Sequence, residues 1–549
     1  MKKLMAALLL FIICISTVLT GCTGKQGGNA AVPAGSSASA ADKDEYKIVT
    51  MAGTTALASM DMNTATGRAY SPKKTAIWDT LVYYDENNQL VPRLAKSWEI
   101  SEDGYTYTLH LNEKATWHDG TPFTAEDYLF TIEVYSNPDF IGQSNGLNYI
   151  VGYDKASKRI AGEENGITKV DDHTLQIQLA RRLQPQDFFA QFTPVFLPKH
   201  ILEKEGNLLD PDTWAYWENP IGTGPFKFKE EVLGQYVDMV TYKDYYLGAP
   251  DFDELIYRTY DQSTLLAGLL TGEIDILAAN TAGSLPTIDV AEAEATDYLT
   301  MKPANCGGYN YVVINTTREY LQDERVRQAL EMAIDKEAIL NMLYEGNGEV
   351  TSSPWSSLCE YLDPAIKYEY NPEKAKALLE ECGWDFSRRL VISQATSVSG
   401  LGDIAVMLKQ QFEEIGIPCD LYAVDYQTSM TYMHEGTYFD ISVMGGTANV
   451  VSPGIPAMGS FNPDVYWNWS HWQDTTLYDL LDSTLDMTNK EDISAAYQEF
   501  QRVHLEQVPY IWLLFYYENF VYNSDRLSNV TVPNVTDAPW AFWEWKVAY

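Results

Sequence analysis

Alternating apolar and polar positions predict two β-strands in the first third of the chain. In residues 105–111, an apolar or aromatic residue occupies every second position. Residues 174–179 repeat the pattern, with Leu175, Ile177 and Leu179 on one face. Because successive side chains of a strand point to opposite faces, a period of two is typical of a strand that is buried on one side.

Apolar positions with a helical period, together with capping signals, predict α-helices along the rest of the chain. Val326, Leu330 and Ile334 recur at the spacing of one helix face. The signals for helix starts are a capping box at Thr124–Asp127, an N-cap at Asp335, and an N-cap at Asn371 followed by proline. Strands and helices mix along the whole length and no internal repeat occurs, so we expect the α/β fold class.

The N-terminus carries the signals of an exported lipoprotein. Two lysines precede the apolar run Leu4–Leu19, and the run ends in Leu-Thr-Gly-Cys22, which matches the lipobox of bacterial lipoproteins. The run is too short for a transmembrane anchor, and no basic stop comes after it. We therefore expect residues 1–21 to be a cleaved signal peptide. Cys22 would then carry lipid and tether the protein to the outer face of a bacterial cell membrane, on the extracellular or periplasmic side.

The composition of the remaining chain indicates a short tether and a large globular body. Residues 22–43 are rich in Gly, Ala and Ser, which predicts a flexible tether. The 549 residues are 46% hydrophobic and 13% aromatic, which indicates a globular body of about three domains. The formal net charge of −38 would repel phosphate backbones, so we expect no nucleic-acid partner.

Motifs for catalysis or metal binding are scarce in this sequence. We therefore expect that the protein binds no metal or cofactor and is not an enzyme. The six cysteines show no Cys-x-x-Cys spacing and the seven histidines no His-Glu-x-x-His. Gly142, Ser144 and Gly146 do match the Gly-x-Ser-x-Gly nucleophile pattern. That pattern requires a turn from a strand into a helix, whereas the residues around it indicate a loop. A secreted hydrolase is kept as the alternative from another functional class.

Six segments of the chain occur in an order that is characteristic of one family. They are LVPRLAKSWEISEDGYTYTLHL, WHDGTPFTAEDYLFTIE, NPIGTGPFKF, DERVRQALEMAIDKEAIL, NPEKAKALLEECGW and QVPYIWL. From about residue 44 onward, the chain resembles the extracellular solute-binding proteins, family 5. This family includes the oligopeptide- and dipeptide-binding proteins of ABC transporters.

The resemblance implies a two-lobed fold of the periplasmic-binding-protein type, with a hinge between the lobes and an extra inserted domain. Lobe I would comprise residues 43–74, 216–301 and 512–549, the inserted domain residues 75–215, and lobe II residues 302–511. Such a protein closes on a ligand and delivers it unchanged to the permease subunits of an ABC importer. We expect a monomer that binds a small solute, with an oligopeptide first. Haem or a metal chelate also occurs as a ligand in this family, but nothing in the sequence selects either.

The segment that begins at Phe439 holds the first group of candidate ligand contacts. Peptide-binding members of the family have the pattern Phe-Asp-(Leu/Ile)-x-x-x-x-Trp-x-x-Asp-Tyr-x-Asp-Pro here. The acid after the tryptophan pairs with the α-ammonium of the peptide in those members. In this chain Gly446 replaces the tryptophan and Asn449 replaces the acid, with Gly445 and Thr447 on either side of Gly446.

The replacement of that acid changes the expected ligand. An amide offers hydrogen bonds but no charge, so Asn449 would bind an ammonium group weakly. Either another acid takes over, for which Asp464 and Asp425 are candidates, or the ligand is not a free peptide N-terminus.

A second group of candidates is aromatic or lies in lobe I. Trp467, Trp469 and Trp472 alternate with polar residues, which suits sugar rings or apolar peptide side chains. An oligosaccharide-binding protein is therefore the alternative within the family. Gly53 and Thr54 follow the first predicted strand, Lys47–Met51, whose end would face the cleft as strand ends do in this family, and Trp355 is near the crossing between lobes. Gly222 and Gly224 favour a structural turn over a ligand contact.

Overall fold

The computed structural model describes residues 46–54, 72–85, 89–136, 146–154, 159–160, 165–192, 195–205, 208, 213–278, 284–396, 400–447, 454–531 and 541–548. Tyr46–Tyr549 forms one structural unit. The predicted signal peptide, Cys22 and the tether lie outside the described residues, as do Ser144 and Asn449. Within the described ranges, no helix combines the length and the apolar composition that a membrane span requires.

The strands in the described part of the chain are numbered in chain order. They are β1 Ile48–Gly53, β2 Val82–Tyr84, β3 Leu90–Pro92, β4 Ala95–Ile100, β5 Thr106–Leu111, β6 Tyr153–Asp154, β7 Arg159–Ile160, β8 Ile167–Asp171, β9 Thr174–Gln178, β10 Phe226–Val232, β11 Tyr236–Thr241, β12 Glu254–Thr259, β13 Ile276–Leu277, β14 Leu299–Ile314, β15 Gly348–Val350, β16 Leu390–Ala395, β17 Cys419–Val424, β18 Ile441–Thr447, β19 Tyr510–Asn523, β20 Leu527–Ser528 and β21 Lys546–Val547.

The α-helices of the same residues are numbered in the same way. They are α1 Pro72–Ile77, α2 Ala125–Tyr135, α3 Pro185–Gln191, α4 Lys199–Leu202, α5 Leu265–Thr271, α6 Thr287–Glu294, α7 Glu324–Met332, α8 Lys336–Tyr344, α9 Pro372–Glu381, α10 Leu401–Glu414, α11 Tyr426–Glu435, α12 Gly454–Phe461, α13 Thr476–Thr484 and α14 Lys490–Gln507. The mixture of strands and helices confirms the α/β class.

One large mixed sheet organises the body. Ten of its strands have the order β10-β11-β12-β1-β13-β19-β14-β18-β16-β17, and β15 pairs with β19 as an eleventh strand. The two longest strands, β14 and β19, are antiparallel and run through both halves of the sheet. Residues 299–304 of β14 pair with residues 518–523 of β19, and residues 308–313 pair with residues 510–516. The first half of the sheet thus contains β1 and β10–β13, and the second half contains β15–β18.

The strands β14 and β19 are irregular where they pass from one half of the sheet to the other. The register shifts between Ala304 and Gly308, so β14 carries extra residues there relative to β19. A bulge of this kind bends a strand and increases its twist. We call this region, residues 302–308 of β14 and 516–520 of β19, the crossing.

Helices cover both faces of the second half of the sheet. On one face, Val312, Ile392 and Val443 pack against apolar residues of α7–α10. On the other face, Tyr510 and Trp512 belong to a cluster with residues of α12–α14. The predicted stripe Val326–Ile334 is buried in the first of these layers. Burial on both faces accounts for the almost continuous apolar sequence of β18 and of the first half of β19.

A separate four-stranded sheet, of order β4-β5-β9-β8, lies between α1 and β10 in the sequence. The predicted alternation of residues 105–111 is confirmed, because every second residue of β5 is buried. The capping box of Thr124 and Asp127 starts α2 as predicted. Arg181, which comes after β9, pairs with Asp482 of α13 and donates over 2.9 Å to Asp486, which follows that helix. This ion pair joins the small sheet to the helices of the second half.

The glycine-rich turn before β10 packs directly on α1. Gly224 N–H donates to Ile77 O over 2.8 Å. A Cβ atom built at Gly222 would lie 1.9 Å from Ile77 O, and one at Gly224 would lie 2.5 Å from Ala76 O. Only glycine permits such an approach of two backbones. The prediction of a structural turn is therefore confirmed.

His118 fastens this turn to the small-sheet segment. Gly222 N–H donates to its Nδ1 over 3.1 Å, so Nε2 carries the proton and donates to Gly224 O over 3.0 Å. The backbone N–H of His118 also donates to Gly222 O over 2.9 Å. The neighbouring Trp117 and Phe123 are fully buried, so both serve packing. Burial lowers the pKa of the His118 imidazole to about 3.

The depressed pKa predicts loss of stability in mild acid. A neutral His118 contributes fully above pH 6.5, and the contribution is lost as the pH falls from 6.5 towards 3. As the pH falls through this range, one such histidine lowers the free energy of unfolding by at most about 1.4 kcal/mol per pH unit. We expect His118→Gln to be less stable at pH 7 but to lose less on acidification. Urea unfolding at pH 7, 6, 5 and 4 measures the slope of the free energy of unfolding against pH for the parent and for the variant. The control is His434→Gln, at an exposed histidine. Parallel slopes for the parent and His118→Gln would contradict this account.

Candidate functional site

The directions of the strands bring several carboxyl ends together at the crossing. In the first half, β1, β12 and β13 are parallel to one another and antiparallel to β19. They therefore run towards the second half. In the second half, β16, β17 and β18 are parallel to one another, and β18 is antiparallel to β14. They run towards the first half, so two sets of carboxyl ends face each other. In open α/β sheets, ligands bind outside such ends.

Gly53 and Thr54 occupy the carboxyl end of β1, as the sequence predicted. Gly53 is the last residue of the strand and pairs with Thr259 of β12. Thr54 is the next residue and is half-buried. Ala278 has the equivalent position after β13, where its N–H donates to Ala52 O over 2.7 Å. The first side of the site is thus made of small residues, of which Gly53 and Ala278 are buried in this conformation and Thr54 is partly exposed.

Gly445, Gly446 and Thr447 form the carboxyl end of β18, on the opposite side of the site. Thr447 pairs with Gly308, and Gly446 pairs with Tyr309. A Cβ atom at Gly446 would lie only 2.7 Å from both Cζ and the hydroxyl oxygen of Tyr309. The ring of Tyr309 therefore covers Gly446 and occupies the space that a side chain at position 446 would need.

Tyr309 is the outer member of an aromatic cluster on this face of the sheet. Its ring centroid lies 5.4 Å from that of Tyr311 and 5.5 Å from those of Trp512 and Phe515. These three neighbours are buried, with exposures of 8%, 3% and 0%, whereas Tyr309 is only partly buried. The cluster thus presents one aromatic side chain at the crossing.

The opposite face of the crossing has a polar lining. The ring of Tyr516 covers Gly308, where a Cβ atom would lie 2.6 Å from Cζ. Tyr516 stacks on Tyr344, with centroids 5.0 Å apart. The Tyr344 hydroxyl donates to Oδ1 of buried Asn310 over 2.7 Å. These contacts fix the side chains around Gly445 and the start of α10.

Some of the other residues predicted to contact a ligand lie in the core, and some lie on the surface. Trp355 is 3% exposed and packs between Tyr497 and Phe500, at centroid distances of 4.7 and 5.0 Å. Trp469 and Trp472 are buried, with exposures of 6% and 9%. These three tryptophans thus serve the core in this conformation, and the sequence pattern does not distinguish that role from ligand contact.

Only part of the predicted aromatic loop is on the surface. Trp467 is 41% exposed and stands edge-on to Tyr466 and Trp469. Asp464 is also exposed, and its backbone N–H donates to Oδ1 of Asn462 over 2.9 Å. The second candidate acid, Asp425, caps α11 by accepting from the Thr428 N–H over 3.0 Å. That hydrogen bond gives Asp425 a structural role.

The described residues contain no group of three or more His, Cys, Asp or Glu side chains arranged to hold a metal ion. Cys359, Cys382 and Cys419 are free thiols. Burial raises the pKa of the Cys359 and Cys419 thiols to about 12, which keeps both protonated at neutral pH.

Tyr309 is the functional candidate that sequence reasoning missed. It comes after two glycines in the segment Gly-Gly-Tyr-Asn-Tyr, for which alternation alone predicts an ordinary strand. The available signal was the missing aromatic residue at Gly446, because a glycine in a strand interior often marks close approach of another group. That Tyr309 is the residue opposite Gly446 can be identified only from the register of β14 and β18.

Known proteins resemble this chain over most of its length. Oligopeptide-binding protein AppA of Bacillus subtilis is 27% identical over 479 residues, which cover 83% of each protein. Heme-binding protein A of Haemophilus influenzae is 27% identical over 467 residues, which cover 81% of this chain and 82% of that protein. The structure of Bacillus subtilis AppA in complex with a nonapeptide matches with a TM-score of 0.74 at 23% identity. It covers 92% of this chain and 100% of AppA.

The solved structure shares the two-lobed fold that we expect from the sequence. The sequence itself also matches a known family. The bacterial extracellular solute-binding proteins, family 5 Middle, match residues 89–468. That range is more than half of the chain and includes the small sheet, the strands β12–β14 and the carboxyl end of β18. This protein therefore belongs to the bacterial extracellular solute-binding proteins, family 5.

Proposed function

We propose that this protein captures an oligopeptide outside the cell and delivers it to the permease of an ABC importer. The observation that carries the proposal is the meeting of two sets of strand carboxyl ends at the crossing, between the halves of one sheet. Two lobes joined by two strands can rotate about those strands while each core stays packed. The similarity to AppA, whose name and structure refer to peptides, supports a peptide ligand.

The domain boundaries predicted from the sequence belong to this proposal. Lobe I would comprise residues 43–74, 216–301 and 512–549, the inserted domain residues 75–215, and lobe II residues 302–511. The separate small sheet supports an inserted domain, and the break in register between Ala304 and Gly308 supports a hinge there.

Calorimetry with matched peptides tests the proposal. We expect stoichiometric binding of at least one peptide from a series of two to nine residues. Because Asn449 replaces the ammonium-pairing acid, N-terminal acetylation should cost only about 1 kcal/mol, the worth of one neutral hydrogen bond. A loss of several kcal/mol would mean that an acid binds the ammonium, and Asp464→Asn would then be the first variant to compare. Failure of every peptide to bind, with binding of an oligosaccharide, would contradict the proposal.

The lipid anchor is a second element of the proposal and rests on the lipobox. We expect labelled palmitate to be incorporated into the full chain expressed in a bacterium and to be absent from Cys22→Ala. Cys14→Ala is the matched control, because Cys14 lies within the predicted signal peptide and should leave labelling unchanged. Equal labelling of the Cys22→Ala variant and the parent would refute the anchor without affecting the binding function.

A further inference from the structure

We propose that Tyr309 is a ligand-contacting residue that sets specificity for an apolar side chain of the peptide. The inference rests on the proposed function, because it assigns a role within the same binding site. It starts from the close approach of Tyr309 to Gly446 across β14 and β18.

The position of the ring places it at the candidate site. Tyr309 comes directly after Gly308, the last residue of the crossing in β14. It pairs with Gly446 of β18 and with Phe515 of β19. Its outer end lies above Gly446, at the carboxyl end of β18. Thr447 is the next residue and ends the strand. The ring thus stands at the edge where the second set of carboxyl ends faces the first.

The packing behind the ring makes it a rigid contact surface. Tyr311, Trp512 and Phe515 are buried behind Tyr309 and support its ring, so little rotamer freedom remains to be lost on binding. Tyr309 itself is only partly buried. A rigid aromatic ring with one accessible part offers an apolar contact to a ligand.

The glycine opposite the ring determines which strand supplies the aromatic surface. The family pattern has a tryptophan at the position of Gly446, on β18. Here that position holds the smallest residue, and a ring from the neighbouring strand occupies the space. The site therefore keeps an aromatic surface but supplies it from β14. Moving the ring changes where it meets the ligand, and this predicts a specificity different from that of a tryptophan at position 446.

A second-site exchange tests this assignment. The probes are tetraalanine and the four tetrapeptides in which phenylalanine replaces one alanine. We expect the parent to prefer one phenylalanine peptide over tetraalanine by about tenfold, the scale of an aromatic contact. Tyr309→Ala should remove most of that preference. The double variant Tyr309→Ala/Gly446→Trp should regain a preference for phenylalanine, because the new ring enters the vacated space, but at a different peptide position.

Two comparisons keep the result interpretable. In Gly446→Trp alone, the new side chain competes with the ring of Tyr309 for the same space, so this variant should lose affinity for every tetrapeptide. Tyr438→Ala removes a tyrosine that is 61% exposed and precedes the opposite end of β18, and it should bind like the parent. Thermal unfolding of each variant confirms folding.

The outcomes separate the two proposals. Unchanged phenylalanine preference in Tyr309→Ala, with peptides still bound, overturns the role of Tyr309 and leaves the proposed function standing. If the parent binds none of the five tetrapeptides and none of the longer peptides, the proposed function and the role of Tyr309 are both overturned.

Discussion

Replacing Gly222 by alanine is expected to destabilise the protein by about 3 kcal/mol or more, at the upper end of overpacking effects. The added methyl group would lie 1.9 Å from Ile77 O and 2.6 Å from Ile77 C. Both are backbone atoms at the end of α1, so no side chain can move aside. Relief would require the turn to separate from α1, which would break the hydrogen bonds of Gly222 with His118.

Urea unfolding of Gly222→Ala measures this effect, and Gly402→Ala is the matched control. Gly402 lies in the first turn of α10, where an added Cβ would approach no atom closer than 3.7 Å. Alanine has a higher helix propensity than glycine by about 1 kcal/mol, so this control should be neutral or more stable than the parent. Equal stability of the two variants would contradict the close packing of the turn on α1.

The buried ion pair of Lys336 and Glu331 gives the second large effect. Lys336 is fully buried, and its Nζ donates to Glu331 Oε1 over 2.8 Å and to Thr351 O over 3.0 Å. The same group lies 3.8 Å from the centroid of the Tyr368 ring. Burial lowers the pKa of Lys336, and the charge of Glu331 opposes that shift. Glu331→Leu should therefore leave an unpaired buried cation and cost about 3–5 kcal/mol.

A double variant distinguishes the cost of an unpaired charge from the worth of the pair. Glu331→Leu/Lys336→Met removes both charges and should be more stable than Glu331→Leu alone. Glu369→Gln, which breaks the exposed pair with Lys374, should leave the free energy of unfolding almost unchanged, because solvent screens that pair. A double variant no more stable than Glu331→Leu would show that packing, and not charge, determines the loss.

Local signals in the sequence predicted the elements well where a few neighbouring residues decide the structure. Asp335 caps α8 by accepting from the Ala338 N–H over 2.8 Å, and Asn371 caps α9 with proline in the first turn. Gly383 follows the end of α9 with a φ of 70°, the left-handed conformation in which glycine often ends a helix. These features depend on contacts within a few residues, which a sequence pattern encodes directly.

The candidate site was predictable only in part, because it depends on contacts between distant segments. Gly53 and the glycines at positions 445 and 446 lie at strand ends facing the crossing, as the family resemblance implied. Burial of Trp355 depends on its packing with Tyr497 and Phe500, which are distant in the sequence. The role of Tyr309 depends on its register with Gly446. Aromatic residues suit cores and ligand sites equally, so composition alone does not separate the two.

Native mass spectrometry of the protein purified from bacterial medium supplemented with a defined peptide digest tests the central claim most directly. The account predicts one bound peptide per chain, recovered on denaturation with its covalent structure unchanged. Addition of the free peptide to the emptied protein should restore the same complex. Recovery of cleavage products, or of a bound molecule that is not a peptide while the digest remains unbound, would contradict the account.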